Sequence, residues 1–421
     1  MYLCVGAYKL SLAIEGGEPV RKKPFPPRIQ IGSEEQQAVM DLMNGYAEKG
    51  GAFDRYGGIE VDTFEEEFAE YFGARHAAAI SSGTAAIHSA IGALRLDLGS
   101  EVISSPITDP GAVAPILFQN CIPVFADAAP ETFNIDPESA KERISEKTEA
   151  IIAAHIAGQP CDMAPIMEIA EAHDLVVIED CSQAHDALYK GTKVGTLGHL
   201  GCFSLMSGKH ITSGGQGGMA ITSDEELYLN IKRFADRGKP FGSTKPSNIF
   251  LGNNYRMTEL EAAIGRVQLK KLPKIVEARR RIVADLESEI KDLMAVHLGK
   301  IIEDATSSYW FVFVSVDEPK LKVSIDEFNN AVRAEGIPLQ GKYDHMIYEQ
   351  TWIRDRQTYG KSQCPWSCPL WGREVEYEGS CPNARKAIDT HLVLSVHEGY
   401  TEEEVTDIAE ALRRVERHYL K

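Results

Sequence analysis

The hydrophobic pattern of the chain changes its period repeatedly between about residues 60 and 225. Short apolar runs alternate there with stretches in which apolar residues recur every three or four positions. This alternation is typical of parallel β-strands covered by helices on both faces. It predicts an α/β protein with a mostly parallel central sheet, whose strands are residues 76–80, 101–105, 122–127, 149–155, 175–180, 201–206 and 218–223.

Beyond residue 257 the pattern becomes more helical. Two helices are predicted over residues 257–295, separated by Pro273, because proline cannot continue a helix. A strand over 309–316, a helix that ends at Gly336 and a final amphipathic helix from Thr401 indicate a smaller α+β domain. The predicted division is an amino-terminal arm, a large domain and a small carboxyl-terminal domain, over residues 1–30, 31–272 and 273–421.

The charge balance narrows the range of partners. The 421 residues include 62 acidic and 44 basic side chains, a net charge of −18, and a field of this sign repels nucleic acid and acidic membranes. No apolar stretch is long enough to span a bilayer, and the opening segment, interrupted by Lys9, shows no cleavage site of a secretory signal. We therefore expect a soluble, cytoplasmic protein whose partners are neither nucleic acid nor membrane.

Eight cysteines are scattered along the chain, as is usual for a protein of a reducing cytoplasm. Cys364 and Cys368, with Cys381 further on, are of the type that binds zinc or an iron–sulfur cluster. Because the pair lacks a second pair at matching spacing, we predict ordinary thiols and no metal site.

The first candidate for chemistry is the junction between the strand at 76–80 and the helix that follows it. The loop reads Ser-Ser-Gly-Thr, and Gly83 lets the backbone approach a ligand closely. The unpaired N–H groups of a helix amino terminus favour a phosphate at this position. The same residue types also cap helices that bind no ligand, so this motif is informative only in combination.

The second candidate is a carboxylate. The strand at 175–180 ends on Glu179 and Asp180, at the edge where open α/β sheets bind ligands. A buried carboxylate needs a cationic partner, and a protonated pyridine nitrogen is one such partner. A helix cap at the strand end is the alternative.

The third candidate is Lys209, which follows the strand at 201–206 after a short turn and precedes a glycine-rich loop. A partly neutral amine here forms an imine with an aldehyde, whereas an isolated loop lysine is usually only solvated. A phosphate anchor, a pyridinium partner and an amine occur in this order, with Ser204 between Asp180 and Lys209. Together they predict a pyridoxal phosphate (PLP) site of fold type I.

These motifs resemble those of the DegT/StrS family of PLP-dependent sugar aminotransferases. The resemblance runs from about LAIEGGEPVR to the final helix and so covers nearly the whole chain. The matching segments are VDTFEEEFAEYFGARHAAAISSGTAAIHSA, HIAGQPCDM, VIEDCSQAHDALYKGTKVGTLGHLGCFS, the loop around Lys209 and GNNYRMTELEAAIGRVQLKKL. The resemblance implies a fold-type I transferase that moves an amino group from glutamate or glutamine to a keto-sugar or keto-cyclitol in two half-reactions.

The resemblance also implies roles for residues at the cofactor ring. Lys209 would carry the cofactor as an imine and later move protons between the cofactor and the substrate. Asp180 would pair with the pyridine nitrogen, and Gln183 would hydrogen-bond to the ring hydroxyl.

Four further residues would serve the cofactor's phosphate. The backbone at Gly83 and Thr84, with the Ser204 hydroxyl, would hold it within one chain. Asn254, in the segment that matches the family's Asn-x-Arg-Met, would reach the phosphate of a neighbouring subunit. A homodimer with shared active sites is therefore implied.

Two stretches depart from the family's pattern. Thr108, Asp109 and Pro110 stand where many relatives place an aromatic residue against the cofactor ring, so no stacking residue is predicted. Gln216 lies in a loop where many relatives have a shorter Gly-Glu-Gly-Gly sequence, so the role of that glutamate is not transferred.

Alternatives to this interpretation remain open. In a related branch that dehydrates keto-sugars, histidine replaces the lysine, and here His210 directly follows Lys209. A non-catalytic, regulatory relative is the second alternative. Free cyclitols and nucleotide-linked sugars are both open as acceptors, because Arg237, Lys239 and Arg256 suit either a nucleotide anchor or ordinary solvated charges.

Overall fold

The computed structural model of the protein describes residues 11–343 and 346–421. The first ten residues of the predicted arm, which include Cys4 and Lys9, lie outside these ranges. The strands are β1 (His76–Ile80), β2 (Glu101–Ser104), β3 (Ile122–Phe125), β4 (Thr148–Ala154), β5 (Val176–Asp180), β6 (Leu188–Tyr189), β7 (Thr192–Lys193), β8 (Leu200–Ser204), β9 (Gly218–Thr222), β10 (Val296–Leu298), β11 (Ala305–Thr306), β12 (Val312–Val316) and β13 (His391–Leu394).

The α-helices of the same ranges lie between and after these strands. They are α1 (Ser33–Lys49), α2 (Ile59–Phe72), α3 (Gly83–Leu94), α4 (Pro110–Phe118), α5 (Pro137–Glu142), α6 (Met163–Ala172), α7 (Glu225–Ala235), α8 (Glu259–Ile290), α9 (Ile325–Ala334), α10 (Thr351–Arg354), α11 (Pro382–Thr390) and α12 (Glu402–Tyr419). None of the described helices has the length and apolar character that crossing a bilayer requires.

The central feature is one sheet with the strand order β1-β9-β8-β5-β4-β2-β3. Six of its strands run parallel, and β9 is antiparallel to its neighbours β1 and β8. These are the seven strands that the hydrophobic pattern predicts, so the mostly parallel α/β sheet is confirmed. The carboxyl ends of the six parallel strands therefore meet at one edge of the sheet.

Helices cover both faces of this sheet. On one face α3 packs an alanine-rich surface against β8 and β9, and its small side chains allow a close approach. On the other face Phe64 and Phe68 of α2 pack with Phe203 of β8, beneath α8. α2 ends where Gly73 takes a φ of 84°, in the left-handed region that favours glycine.

The predicted helix break at Pro273 is wrong. α8 continues through this proline from Glu259 to Ile290. Proline removes one backbone hydrogen bond, but α8 buries residues on both sides of it, among them Leu272 and Val276. Because α8 packs on α1, α2 and α12, tertiary burial outweighs the local cost. The helix crosses the predicted domain boundary, and the division into domains stays a prediction.

The strand predicted over residues 309–316 begins later, at Val312. Tyr309 has a φ of 50°, in the left-handed region that aromatic residues rarely adopt. The chain therefore turns before β12, and Trp310 lies outside the strand. β12 then pairs antiparallel with β10 and β13 in a small second sheet. α8, α9 and α12 cover that sheet with a separate apolar core.

Candidate active site

Lys209 lies in a tight turn that follows β8. Its N–H donates to the carbonyl of Met206 at 3.1 Å. The carbonyl of Lys209 accepts hydrogen bonds from Arg28 Nη1 at 2.6 Å and Gln30 Nε2 at 2.9 Å. Gln30 also accepts from the N–H of Gly208 at 3.0 Å. The segment before α1 thus holds the turn from outside, and only 6% of Lys209 is exposed.

Burial changes the chemistry of the Lys209 amine. Removal from water disfavours its charged form and lowers its pKa to about 8, although the nearby carboxylates of Asp180 and Asp109 oppose this effect. Roughly a tenth of the amine is therefore neutral at pH 7, far more than for an ordinary lysine, and only the neutral amine attacks a carbonyl carbon.

Asp180 ends β5 and is 7% exposed. One of its carboxylate oxygens accepts a hydrogen bond from the N–H of Ser182 at 3.0 Å. Burial raises the pKa of this carboxyl group. Among the described residues no cationic nitrogen lies within salt-bridge distance of it. A buried carboxylate of this kind is suited to a cationic atom of a ligand.

A close contact between two loops forms a cradle at the start of α3. A Cβ atom on Gly83 would lie 2.6 Å from the Cβ of Ser204, which ends β8, so a side chain does not fit there. A Cβ on Gly111, in the first turn of α4, would lie 2.3 Å from Thr84 Oγ1. Two helix amino termini therefore converge beside the Ser204 hydroxyl, and both favour an anion.

A cleft of about 660 Å³ opens beside the lysine turn. Gln183 lines it, and the Oε1 atom of Gln183 accepts a hydrogen bond from the N–H of Ala157 at 2.8 Å. Thr108 also lines it, and its buried hydroxyl has no hydrogen-bond partner among the described residues. A buried hydroxyl without a hydrogen-bond partner destabilises the fold unless a ligand supplies that partner. The other lining residues include Arg28, Asp109, Gly208, Arg279, Trp310, Gln340 and Gln350.

The structure brings six of the seven predicted site residues to one edge of the sheet, namely Gly83, Thr84, Asp180, Gln183, Ser204 and Lys209. Asn254 does not join them within the chain. It is exposed and pairs through its backbone with Asp236. The roles of all seven stay predictions.

The structure gives other roles to the side chains on which the alternative functions depended, namely the three cations and His210. Arg237, Lys239 and Arg256 all bind the carboxylate of Asp236, and none of the three lines the cleft beside Lys209. His210 is fully buried and donates from Nε2 to the carbonyl of Ser308 at 3.0 Å. Burial holds the pKa of His210 well below its usual range, so its ring is neutral. His210 therefore does not take the place of the lysine in the cleft.

Sequence reasoning missed Trp310, whose ring lies against Lys209 with its centroid 3.5 Å from Nζ. The apolar run that contains Trp310 predicts one continuous strand over 309–316, and a strand there does not indicate a contact with Lys209. Arg28 and Gln30 were also missed, because nothing in a polar arm indicates that it will contact a lysine far along the chain.

One group of metal-type ligands occurs among the described residues, namely His155, Glu179 and Cys181. Its hydrogen bonds explain it without a metal ion. The two oxygens of Glu179 accept from His155 Nε2 and from three backbone N–H groups at residues 195, 197 and 198. With these four donors the carboxylate is satisfied, and the group fixes the loop between β7 and β8. The described cysteines are free thiols, and Cys364, Cys368 and Cys381 form no such group.

The site as a whole fits PLP, a pyridine aldehyde that carries a phosphate. The glycine-lined cradle suits the phosphate, and the lone buried carboxylate suits a protonated ring nitrogen. The amine with a lowered pKa suits the aldehyde carbon. This combination at the carboxyl edge of a mostly parallel sheet defines a PLP-dependent enzyme of fold type I.

Comparison with known proteins defines the family. Residues 30–376 match the model of the DegT/DnrJ/EryC1/StrS aminotransferase family, and the chain belongs to that family. It is a PLP-dependent transaminase. The structure resembles that of the aminotransferase from Psychrobacter cryohalolentis, with a TM-score of 0.81 and 30% identity over 92% of this chain and 98% of that one.

Two curated relatives have assigned activities. The GDP-perosamine synthase of Vibrio cholerae is 37% identical over 262 residues, which are 62% of this chain and 70% of that protein. The L-glutamine:2-deoxy-scyllo-inosose aminotransferase of Streptomyces lividus is 34% identical over 294 residues, which are 67% of this chain and 68% of that protein.

Proposed function

We propose that this protein transfers an amino group from glutamate or glutamine to a keto-sugar or keto-cyclitol, and that Lys209 is the residue that bonds the cofactor. The observation that carries the proposal is the juxtaposition of a buried amine and a buried carboxylate at the edge of a polar cleft. The relatives support the substrate class, because one is named for a perosamine and another for a deoxy-inosose and glutamine.

The cofactor, when bound, supplies an electron sink for the carbon that gains or loses the amino group. Asp180 would hold the proton on the ring nitrogen, which sustains that sink, and its buried position strengthens the interaction. Lys209, released from the cofactor, would act as the base and acid that moves a proton to and from the substrate carbon.

The remaining predicted residues would orient the cofactor. The backbone N–H groups at Gly83 and Thr84 and the hydroxyl of Ser204 would hold its phosphate in the cradle between α3 and β8. Gln183 is already fixed through its carbonyl oxygen by Ala157, so its amide nitrogen is free to donate to the ring hydroxyl.

The cleft supports a polyhydroxylated acceptor. Amide and hydroxyl side chains line the cleft, among them Gln340, Gln350 and Ser395. Such groups donate to and accept from ring hydroxyls, whereas an apolar wall leaves them unpaired. The polar wall thus supports a sugar or cyclitol ring beside Lys209.

A homodimer with shared active sites is part of the proposal. Large apolar side chains are exposed on and around α1 and on the loops that adjoin the amino terminus of α8, namely Ile29, Met40, Met43, Phe53, Ile59 and Leu251. These loops adjoin one another, since Phe53 contacts Tyr46 of α1 and Asp54 accepts from the N–H of Glu259. An exposed apolar face of this kind suits a second copy of the chain. The exposed Asn254 follows Leu251 of this face by three residues and would complete the partner's phosphate site.

The experiment that tests the function is an absorption titration of the protein loaded with PLP. Wild type should show a visible band that glutamine or glutamate bleaches and that 2-deoxy-scyllo-inosose or a nucleotide-linked keto-sugar restores. Lys209→Ala should not form the band, whereas Lys245→Ala, at an exposed loop lysine, should behave as wild type. Asp180→Asn should form the band but bleach at least about a hundredfold more slowly, because the ring nitrogen loses its counter-ion.

Two results would contradict the proposal. A wild-type protein that forms no band with PLP would leave Lys209 without its proposed role. A band that bleaches with an amino donor but is restored by no keto-sugar or keto-cyclitol would leave the transaminase but remove the proposed acceptor class.

A further inference from the structure

Trp310 contacts Lys209 in two ways. The Lys209 Nζ atom lies 3.5 Å from the centroid of the indole ring, the geometry of a cation–π interaction. The indole N–H of the same side chain donates to the carbonyl of Gly208 at 2.8 Å. One aromatic ring therefore contacts both the amine and the backbone of the turn that carries it.

The backbone of Trp310 is fixed on both sides. Its N–H donates to the carbonyl of Ala157 at 3.0 Å, and its carbonyl accepts from Arg279 Nη1 at 3.1 Å. Arg279 is 1% exposed and also binds the carbonyl of Tyr309 and the carboxylate of Glu398. The left-handed φ of 50° at Tyr309 is a strained conformation that these contacts maintain. The indole ring is thus presented to Lys209 by a rigid support.

None of the described charged side chains around Lys209 forms an ion pair with its amine. The described titratable groups that face it or its turn are Asp109, Asp180, His185, His210, Arg28 and Arg279. The two carboxylates act on Lys209 at a distance, since neither forms a salt bridge with it among the described residues. The face of Trp310 is an electron-rich surface in direct contact with the Lys209 ammonium.

We propose that Trp310 is a positioning residue that holds the ammonium group of Lys209 whenever this lysine is not bonded to the cofactor. The proposal rests on the proposed function of Lys209. In the first half-reaction the amino donor displaces the lysine, so the bond from Lys209 Nζ to the cofactor carbon breaks as the donor's carbon–nitrogen bond forms. In the second half-reaction Lys209 stays unbonded until it displaces the amino product from the same carbon. Between the two protonated imines the donor ammonium gives up two protons, and both end on Lys209, which leaves as an ammonium group. Trp310 then stabilises the released cation and keeps it beside the reacting carbon.

The first test measures Lys209 alone, in the cofactor-free protein. The pKa of Lys209 is obtained from the pH dependence of its acetylation by trace acetic anhydride, read by mass spectrometry of the Lys209 peptide. Trp310→Phe and Trp310→Met both lose the bond to Gly208, but only Trp310→Phe keeps an aromatic face. Relative to wild type we expect the pKa to fall by about 0.5 to 1 in Trp310→Met and by less in Trp310→Phe. Trp352→Met, at a tryptophan outside the cleft, should leave it unchanged.

The comparison between the two variants decides the proposal. Equal pKa values in Trp310→Phe and Trp310→Met would overturn it, because the effect would then come from the lost backbone bond. An unchanged pKa in both would overturn it as well. Thermal unfolding curves recorded beside the labelling show that each variant is folded at the labelling temperature, and Trp310→Phe is the variant that preserves most of the packing.

A second measurement follows the loaded protein. Loss of the aromatic face disfavours the displaced lysine, so Trp310→Met should need about two to five times more amino donor for half-bleaching of the visible band. Trp310→Phe should need less than Trp310→Met, and equal requirements in all three proteins would contradict the positioning role. If wild type forms no band at all, the proposed function fails while the pKa comparison still reports on the contact between Trp310 and Lys209.

Discussion

The ionisation of Lys209 should set the pH dependence of covalent cofactor capture. With a pKa lowered to about 8, roughly one amine in ten is neutral at pH 7, and this fraction falls tenfold for each pH unit below. The rate at which cofactor-free protein captures PLP should therefore rise with pH and level off above about pH 8. Stopped-flow absorption at a fixed PLP concentration measures this rate.

Free N-acetyl-lysine methylamide is the control for that profile. Its amine has an ordinary lysine pKa, so its rate of imine formation should keep rising for about two further pH units. A protein profile that also keeps rising to about pH 10 would show that burial does not lower the pKa of Lys209.

Most of the site residues could be predicted from the sequence because of how parallel strands are arranged. Asp180 and Ser204 end neighbouring strands, and Gly83 and Lys209 follow strands of the same sheet, so their order in the chain brings them to one edge. Trp310 has no such marker. It reaches Lys209 from outside the large sheet, through a left-handed turn at Tyr309 that local propensity disfavours.

Among the elements, α8 is a helix whose length local helix propensity predicts wrongly. Pro273 is exposed, lacks the N–H that would bond to the carbonyl of Leu269, and lies in the middle of the helix. Replacing it with alanine restores that hydrogen bond and removes no buried contact. We expect Pro273→Ala to raise the free energy of unfolding by about 1–2 kcal/mol, since the helix gain is partly offset by a more flexible unfolded chain. The midpoint of thermal or urea unfolding measures the change.

The neighbouring exposed Lys274 provides the matched control, because Lys274→Ala changes helix propensity very little. A midpoint that is equal or lower in Pro273→Ala would mean that the helix needs the proline, for example to set its curvature over α2. The same comparison explains the wrong prediction. A sequence pattern records the cost of the proline at residue 273 but not the packing of α1, α2 and α12 against the helix.

At the scale of the whole molecule, the negative net charge of the protein opposes the binding of negatively charged ligands. The net charge of −18 repels both PLP and glutamate, which are anions. The cleft compensates locally, because Arg28 and Arg279 share the single carboxylate of Glu398 and one positive charge is left over. Lys342 also lines the cleft, where it forms a salt bridge with Asp326. The helix amino termini at Gly83 and Pro110 add further positive potential at this edge of the sheet.

The proposed sharing of active sites makes a prediction for mixed dimers. If Asn254 serves the partner's site, a mixed dimer of Lys209→Ala and Asn254→Ala chains contains one complete site, with Lys209 from one chain and Asn254 from the other. Equal amounts of the two variants, exchanged at random, should then recover about a quarter of wild-type turnover, because half of the dimers are mixed and each has one complete site of two. Turnover of the mixture, measured against each variant alone, tests this. If Asn254 instead served its own chain, no mixed dimer would have a complete site, and mixing would restore nothing.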